Sequence, residues 1–427
     1  MGAELTRRSF ALGALSAAVL PRGAFGAAAE PKLRFGVLTD THVTRDPKSF
    51  DRVRKALAVF RRERCDLIAH VGDLADEHWP EAHRMWRSAV DAAFPSEARP
   101  KEAYVYAAHD LVNFVPGKSW RLTEEESLAA YDAFRKNAGI PHGMFHSFDL
   151  KGVPFIFVPQ HKGEEEQLKV RLMQAEKDHP GDGPIFVFSH VAPENTVFNS
   201  SDWGCWWKTP LFARHPRVIS ISGHTHGSLR NERNIWQGDF TAVDAGCLQE
   251  WGSALPGHQT KPKQGVEVLV TDVFDDRVVF RRIDVRDGEE VREPWVVPLP
   301  FDPKTAPYRL DRRKAAAKPV AFPSDARLEA DRKSDADAVV LSFPAAAPAD
   351  DVFCYRVEAF RRGTLLEWES EGREDVYGEF HLRPSERTGR LVCRFPKSSL
   401  NLSRPTRFVV TPVDFFGQLG KSLEGRI

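Results

Sequence analysis

The chain has 427 residues, too many for one compact core, so at least two domains are expected. Lys plus Arg equals Asp plus Glu at 60 each, and the formal net charge of zero offers none of the basic excess that a phosphate-backbone binder needs. No clear nucleic-acid patch stands out, five cysteines are too few for a disulfide framework, and Cys65, Cys205 and Cys247 lack zinc-ribbon spacing.

Residues 1–29 read as an address. Arg7-Arg8 precede an uncharged run over 11–20, too short to span a bilayer, and small residues follow at 24–29. Paired arginines before such a run resemble a bacterial twin-arginine signal. On that reading the mature protein is periplasmic or secreted and has no transmembrane span.

From residue 33 onward, short apolar runs alternate with helical patterns. Residues 33–39 (LRFGVLT) predict a strand ending in Asp40-Thr41-His42. Phe50, Val53, Leu57 and Phe60 recur at helical spacing over 49–63. Residues 66–71 and 104–107 predict two more strands, closed by Gly72-Asp73 and by Ala108-His109-Asp110. Strands over 153–159, 185–189 and 218–222 follow, with a polar helix over 164–177. Titratable residues recur just past the carboxyl ends of these strands, where open α/β sheets collect their ligands.

Beyond residue 286 the texture changes. A proline-rich stretch at 294–307 and a charged one at 312–318 predict a linker over 291–324. β-forming runs at 339–343, 352–360, 379–382, 391–395 and 407–413 predict a small β-sandwich over 325–427. The run RFVVTPVDFFGQLG resembles the last strand of a fibronectin type III-like module. Cys354 and Cys393 fall in two of these runs, where a bridge and two buried thiols are equally open.

Asp40 and His42 reach one site only if the turn between them breaks strand alternation. A carboxylate such as Asp73 has two oxygens and can bridge two cations, which histidine cannot. His190 follows one late strand, and Gly223-His224-Thr225-His226 follows another. Mixed Asp/His ligation without thiolates suits Mn, Fe or Zn.

The order DxH (Asp40, His42), GD (Asp73), HD (His109, Asp110), SH (His190) and GHTH (His224, His226) resembles the calcineurin-like metallophosphoesterase family over residues 33–285. GHTH and VGDLAD are its most specific elements. The resemblance implies an α/β domain over 30–290, with two packed mixed β-sheets flanked by helices in four layers. It implies two metal ions above the strand ends. Asp40, His42 and His226 would hold the first, Asp73 would bridge, and His190 and His224 would hold the second. His109, oriented by Asp110, would be the general acid. The implied reaction is hydrolysis of a phosphomonoester or phosphodiester, small or polymeric, by hydroxide generated at the binuclear site. No GxSxG nucleophile motif appears.

One position departs from the family. Its metal-ligand asparagine is Ala108 here, and alanine carries no ligand atom. A water in its place, substitution by Asn113, and a weak second site compete as consequences. A non-catalytic or single-metal relative is the alternative function. Trp203, Trp206 and Trp207 are expected to pin a long loop, with a pocket wall as the rival reading. Lys208, Arg214 and His215 read as surface charges, with phosphate contact as the rival reading, and Trp236 and Trp251 read as packing residues. His142, His146 and His161 match no strand-end pattern.

Overall fold

The computed structural model describes residues 30–77, 79–112, 122–249, 266–363 and 367–427, and of Ala108 the backbone alone. Residues 1–29, expected as a signal, and Asn113 and Trp251 lie outside the described residues.

The chain enters through β1 (Leu33–Leu38), α1 (Ser49–Arg62) and β2 (Leu67–His70). It continues with α2 (Pro80–Ala93), β3 (Lys101–Tyr104) and α3 (Glu124–Ala138). Helix α1 buries Phe50, Val53, Leu57 and Phe60, the stripe its 3.6-residue period predicts. Strands β1, β2 and β3 run parallel, and the apolar runs of β1 and β2 reflect burial on both faces. The third strand is shifted from the expected 104–107. Val105 still donates to the His70 carbonyl at 2.8 Å, but residues Ala108–Leu111 then fold into a 3-10 turn.

A second sheet is built from β4 (His146–Leu150), β5 (Val153–Val158), α4 (Glu164–Asp178) and β6 (Ile185–Ser189). Two short helices, α5 (Ser200–Trp203) and α6 (Lys208–Phe212), precede β7 (Val218–Ser222), β8 (Ile235–Gln237) and β9 (Thr241–Asp244). Its order is β4-β5-β6-β7-β9-β8, parallel inside and antiparallel at both edges. The chain then returns to the first sheet through β10 (Glu267–Val273), β11 (Arg277–Asp284), β12 (Glu289–Glu290) and β13 (Trp295–Pro298). Its order is β12-β11-β10-β1-β2-β3, with β13 on β11, so part of the stretch expected as linker belongs to this sheet.

The two sheets pack face to face, with Phe35 of β1 edge-on to Phe186 of β6 at 5.0 Å. Helices α1, α2 and α3 cover the outer face of one sheet, and α4 and α6 that of the other. This is the four-layer α/β arrangement expected. No helix among the described residues is long and apolar enough to cross a membrane.

After α7 (Leu310–Ala316) come β14 (Glu329–Asp331), β15 (Ala338–Pro344), β16 (Val352–Arg362) and β17 (Trp368–Tyr377). Then follow β18 (Arg390–Pro396), β19 (Thr406–Asp414) and β20 (Leu423–Arg426). They form two antiparallel sheets, β14-β15-β18 and β17-β16-β19-β20, over a common core. The expected strand at 379–382 is instead a 3-10 turn over Glu379–His381. The buried Glu379 carboxylate accepts from Thr388 and Gly389 amides there, a local bonding pattern that displaces a ladder.

These sheets are seated on the first body. Phe198, from the loop after β6, lies in a buried cluster with Phe353, Tyr377, Phe380, Val413 and Phe415. Arg383 pairs with Asp284 at 3.0 Å and Arg292 with Asp351 at 2.9 Å across the same seam. Cys354 and Cys393, on strands of different sheets, are both free buried thiols.

Candidate metal centre

Asp40 and His42 follow β1 with φ of 49° and 39°, in the left-handed region that costs non-glycine residues of order 1 kcal/mol. That conformation breaks the strand alternation and sends both side chains inward. Asp73 (φ 55°), His224 (φ 71°) and His226 (φ 52°) repeat the device past β2 and β7. Most of the candidate ligands therefore sit on backbone that propensity alone would reject, held by neighbours. Asp40 N–H donates to the Gly72 carbonyl at 3.1 Å and His42 N–H to that of Asp73 at 3.1 Å.

Asp40, Asp73, His190 and His42 are anchored on the side away from the centre. Asp40 Oδ2 accepts from Thr39 Oγ1 at 2.8 Å and from the His224 amide at 3.0 Å, leaving Oδ1 to face the cluster. Asp73 Oδ1 accepts the His109 amide at 2.9 Å, leaving Oδ2. His190 Nδ1 lies 2.8 Å from the Val71 carbonyl and His42 Nδ1 lies 3.0 Å from Asp76 Oδ1. Those oxygens only accept, so both Nδ1 atoms carry protons and both Nε2 atoms turn inward, the usual preparation of a metal-binding imidazole. Thr225 Oγ1 donates to buried Asp244 at 2.6 Å, fixing the turn between His224 and His226.

The inward atoms converge. Ligand atoms of Asp40, His42, Asp73 and His226 all lie within 4.8 Å of one another. His226 Nε2 is 3.0 Å from Asp40 Oδ1 and 3.1 Å from His42 Nε2, and His190 Nε2 is 3.1 Å from Asp73 Oδ2. Atoms that share a cation through bonds of about 2.0–2.2 Å stand about 3 Å apart, so these spacings fit one. Asp40 Oδ1 and His190 Nε2 are buried without an aligned hydrogen-bond partner, which a cation would satisfy. The His224 ring lies 5.1 Å from that of His190. The fold thus brings Asp40, His42, Asp73 and His226 together, with His190 against Asp73 and the His224 ring beside that of His190.

Charge follows the same logic. Burial drives the Asp40 carboxyl up, but His226 and His190 outweigh it and hold the group well below the usual carboxylate range. Burial depresses His42 and His190, yet Asp40 and Asp76 raise the first to about 10, and Asp73 and Asp40 raise the second to about 9. Two buried carboxylates demand positive charge, and a cation binding there displaces Nε2 protons.

His109 is half-buried with its ring 4.7 Å from that of His42, and its Nδ1 lies 2.8 Å from the Asp76 carbonyl. Asp110 has a part in the backbone of the site as well. Its two oxygens accept the amides of Asp73 and Leu74, each at 3.1 Å, so it fixes the loop that carries Asp73. Asp76 went unnoticed in the sequence. His42, Asp76 and His109 form a second group of converging ligand atoms, and the signal was the last aspartate of VGDLAD.

The lesser expectations divide. Lys208 is buried and donates to the Val191 carbonyl at 3.0 Å, so it pins the loop and is no surface charge. His215 meets Glu176 at 2.8 Å, and Arg214 is exposed. Trp207 and Trp236 pack on the core beneath the second sheet. His142 and His146 stack at 3.5 Å away from the cluster. A groove of about 600 Å³ beside α4, lined by Phe148, Ile156 and Arg171, holds none of the candidate ligands.

Residues 33–228 match the family model described as Calcineurin-like phosphoesterase. The span takes in all six candidate ligands and His109. Comparison with curated proteins finds no match. Among solved structures, a dimetal phosphatase from Danio rerio is 12% identical, covering 63% of this chain and 99% of its own, with a TM-score of 0.41. A purple acid phosphatase from yellow lupin (Lupinus luteus) seeds is 12% identical, covering 63% and 55%, with a TM-score of 0.44. Vacuolar Protein Sorting 29 from Cryptosporidium parvum is 13% identical, covering 62% and 96%, with a TM-score of 0.30.

Proposed function

We propose that the protein hydrolyses phosphomonoesters or phosphodiesters with two metal ions held by the Asp/His cluster. The observation that carries this reading is the convergence of Asp40, His42, Asp73 and His226 within 4.8 Å, with His190 against Asp73. Asp40, His42, Asp73 and His226 would hold one ion, and Asp73, His190 and His224 would hold the other. Mn, Fe or Zn suits this donor set. When bound, such ions lower the pKa of water toward about 7 and neutralise charge on the phosphoryl oxygens.

The chain's own residues do the rest. His109, its ring beside that of His42, donates a proton to the departing ester oxygen from Nε2, while its Nδ1 is held at the Asp76 carbonyl. Asp110 keeps the Asp73 loop in register, and Asp76 orients His42. Export through the twin-arginine route, giving a periplasmic or secreted enzyme, rests on residues 1–29. The fibronectin type III-like reading of the C-terminal sheets rests on their sequence pattern.

The test is p-nitrophenol release from bis(p-nitrophenyl) phosphate and p-nitrophenyl phosphate, with added Mn²⁺, beside a chelated control. Asp73→Asn should fall to the chelated level and lose bound metal, and His109→Ala should lose rate while keeping metal. Full rate and metal in Asp73→Asn would sink the scheme. Bound metal without turnover in the wild type would move the reading to a non-catalytic relative, with Ala108 as the reason. Metal near one ion per chain with retained turnover would favour a single-metal enzyme.

A further inference from the structure

Trp203 is 39% exposed, yet its ring centroid stands 5.9 Å from that of His224. A large apolar ring held toward water beside charged ligands gains nothing for folding, since burial would stabilise it more. Its support is nevertheless rigid. Trp203 N–H donates to Asn199 O at 3.1 Å, and Asn199 is left-handed at φ 59°. A Cβ on Gly204 would strike Ser200 O and the Glu194 backbone, so the next residue has to be glycine. Thr196 N–H donates to Ser200 Oγ at 2.8 Å, and Thr209 Oγ1 to Glu194 O at 2.7 Å. The base of the loop is clamped by the C-terminal sheets, with Phe198 against Phe353 at 5.7 Å and the Arg233 guanidinium 5.3 Å from the Phe198 ring centroid. An exposed ring carried on a backbone fixed in place is a surface prepared for a ligand.

We infer that Trp203 is the specificity-determining platform of the site, selecting phosphoesters whose organic substituent presents a planar aromatic face. The inference rests on the hydrolase reading above and deepens it. A ring stacked on the indole lies next to His224, so it would belong to an ester group of a phosphorus bound at the cluster. Aromatic stacking favours such a substrate by roughly five- to tenfold over an apolar group of similar size that is not flat.

The test uses the metal-loaded full-length mature chain and three diesters sharing the p-nitrophenyl leaving group, with methyl, cyclohexyl or phenyl as the second substituent. The wild type should prefer phenyl over cyclohexyl by roughly five- to tenfold in kcat/KM. In Trp203→Ala that ratio should fall to within about twofold, and in Trp203→Phe most of it should survive. The ratio is the readout, so a general loss of rate cancels. An unchanged ratio in Trp203→Ala, or cyclohexyl equal to phenyl in the wild type, would overturn the inference and leave the hydrolase reading standing. If the wild type turned over none of the three and no p-nitrophenyl phosphate either, the hydrolase reading would fail. Calorimetric titration of phenylphosphonate against cyclohexylphosphonate would then decide the platform. Tighter phenyl binding that depends on Trp203 would support it, and equal or absent binding would overturn it.

Discussion

Glu232 offers the sharpest stability test. It sits in the turn before β8, and its Oε1 lies 2.8 Å from Arg282 Nη1 and 3.3 Å from Arg292 Nε. Its Oε2 accepts from Trp295 Nε1 at 3.2 Å and pairs with Arg313, which ties α7 to the body of the second sheet. Burial pushes the carboxyl up, but Arg282, Arg292 and Arg313 outweigh it and bring it from an ordinary 4.5 to about 2. That depression corresponds to roughly 3 kcal/mol of stability at neutral pH. Removing the charge also strands Arg282, whose side chain is 2% exposed, and an uncompensated buried charge costs about 3–5 kcal/mol. Both routes predict that Glu232→Gln loses roughly 3 kcal/mol in urea unfolding at pH 7, followed by tryptophan fluorescence. Because the folded pKa is depressed, the contribution is full above the unfolded pKa and is lost as pH falls through about 2. The gap between wild type and variant should therefore be constant from pH 7 to 5 and narrow below pH 4. A gap under about 1 kcal/mol at pH 7, or one that widens on acidification, would refute the argument.

Two further outcomes follow from packing. A Cβ on Gly223 would strike Thr39 Oγ1 and Asp40 Oδ2, so Gly223→Ala should displace Asp40 and lower bound metal by elemental analysis while the fold survives by circular dichroism. Phe353, 8% exposed at the seam, anchors the sheets on Phe198, so Phe353→Ala should cost about 3–5 kcal/mol and speed proteolysis between the two bodies.

The sequence by itself determined the ligand types and most of the α/β order. Runs such as IFVFS and VISIS are buried throughout and announce parallel strands, and histidines and aspartates past their ends announce a site. The same local logic located α1 through its helical stripe. It failed where long-range pairing decides. Strand β10 joins β1 across more than two hundred positions, and nothing local in either segment specifies that register. Asp110 looked like a partner for its neighbour His109, but its oxygens go to amides of Asp73 and Leu74 on another loop. Whether Trp203 pinned a loop or faced the site was likewise undecidable from composition, because three nearby tryptophans carry the same apolar signal. Only the tertiary structure separates them, packing Trp207 against the core and leaving Trp203 beside His224. Likewise, DxH spacing named two ligands, but only the tertiary structure imposes the left-handed backbone at Asp40 and His42 that aims both at one point. Chain propensity opposes that conformation, and the hydrogen bonds that the Asp40 and His42 amides donate to the Gly72 and Asp73 carbonyls past the neighbouring strand enforce it.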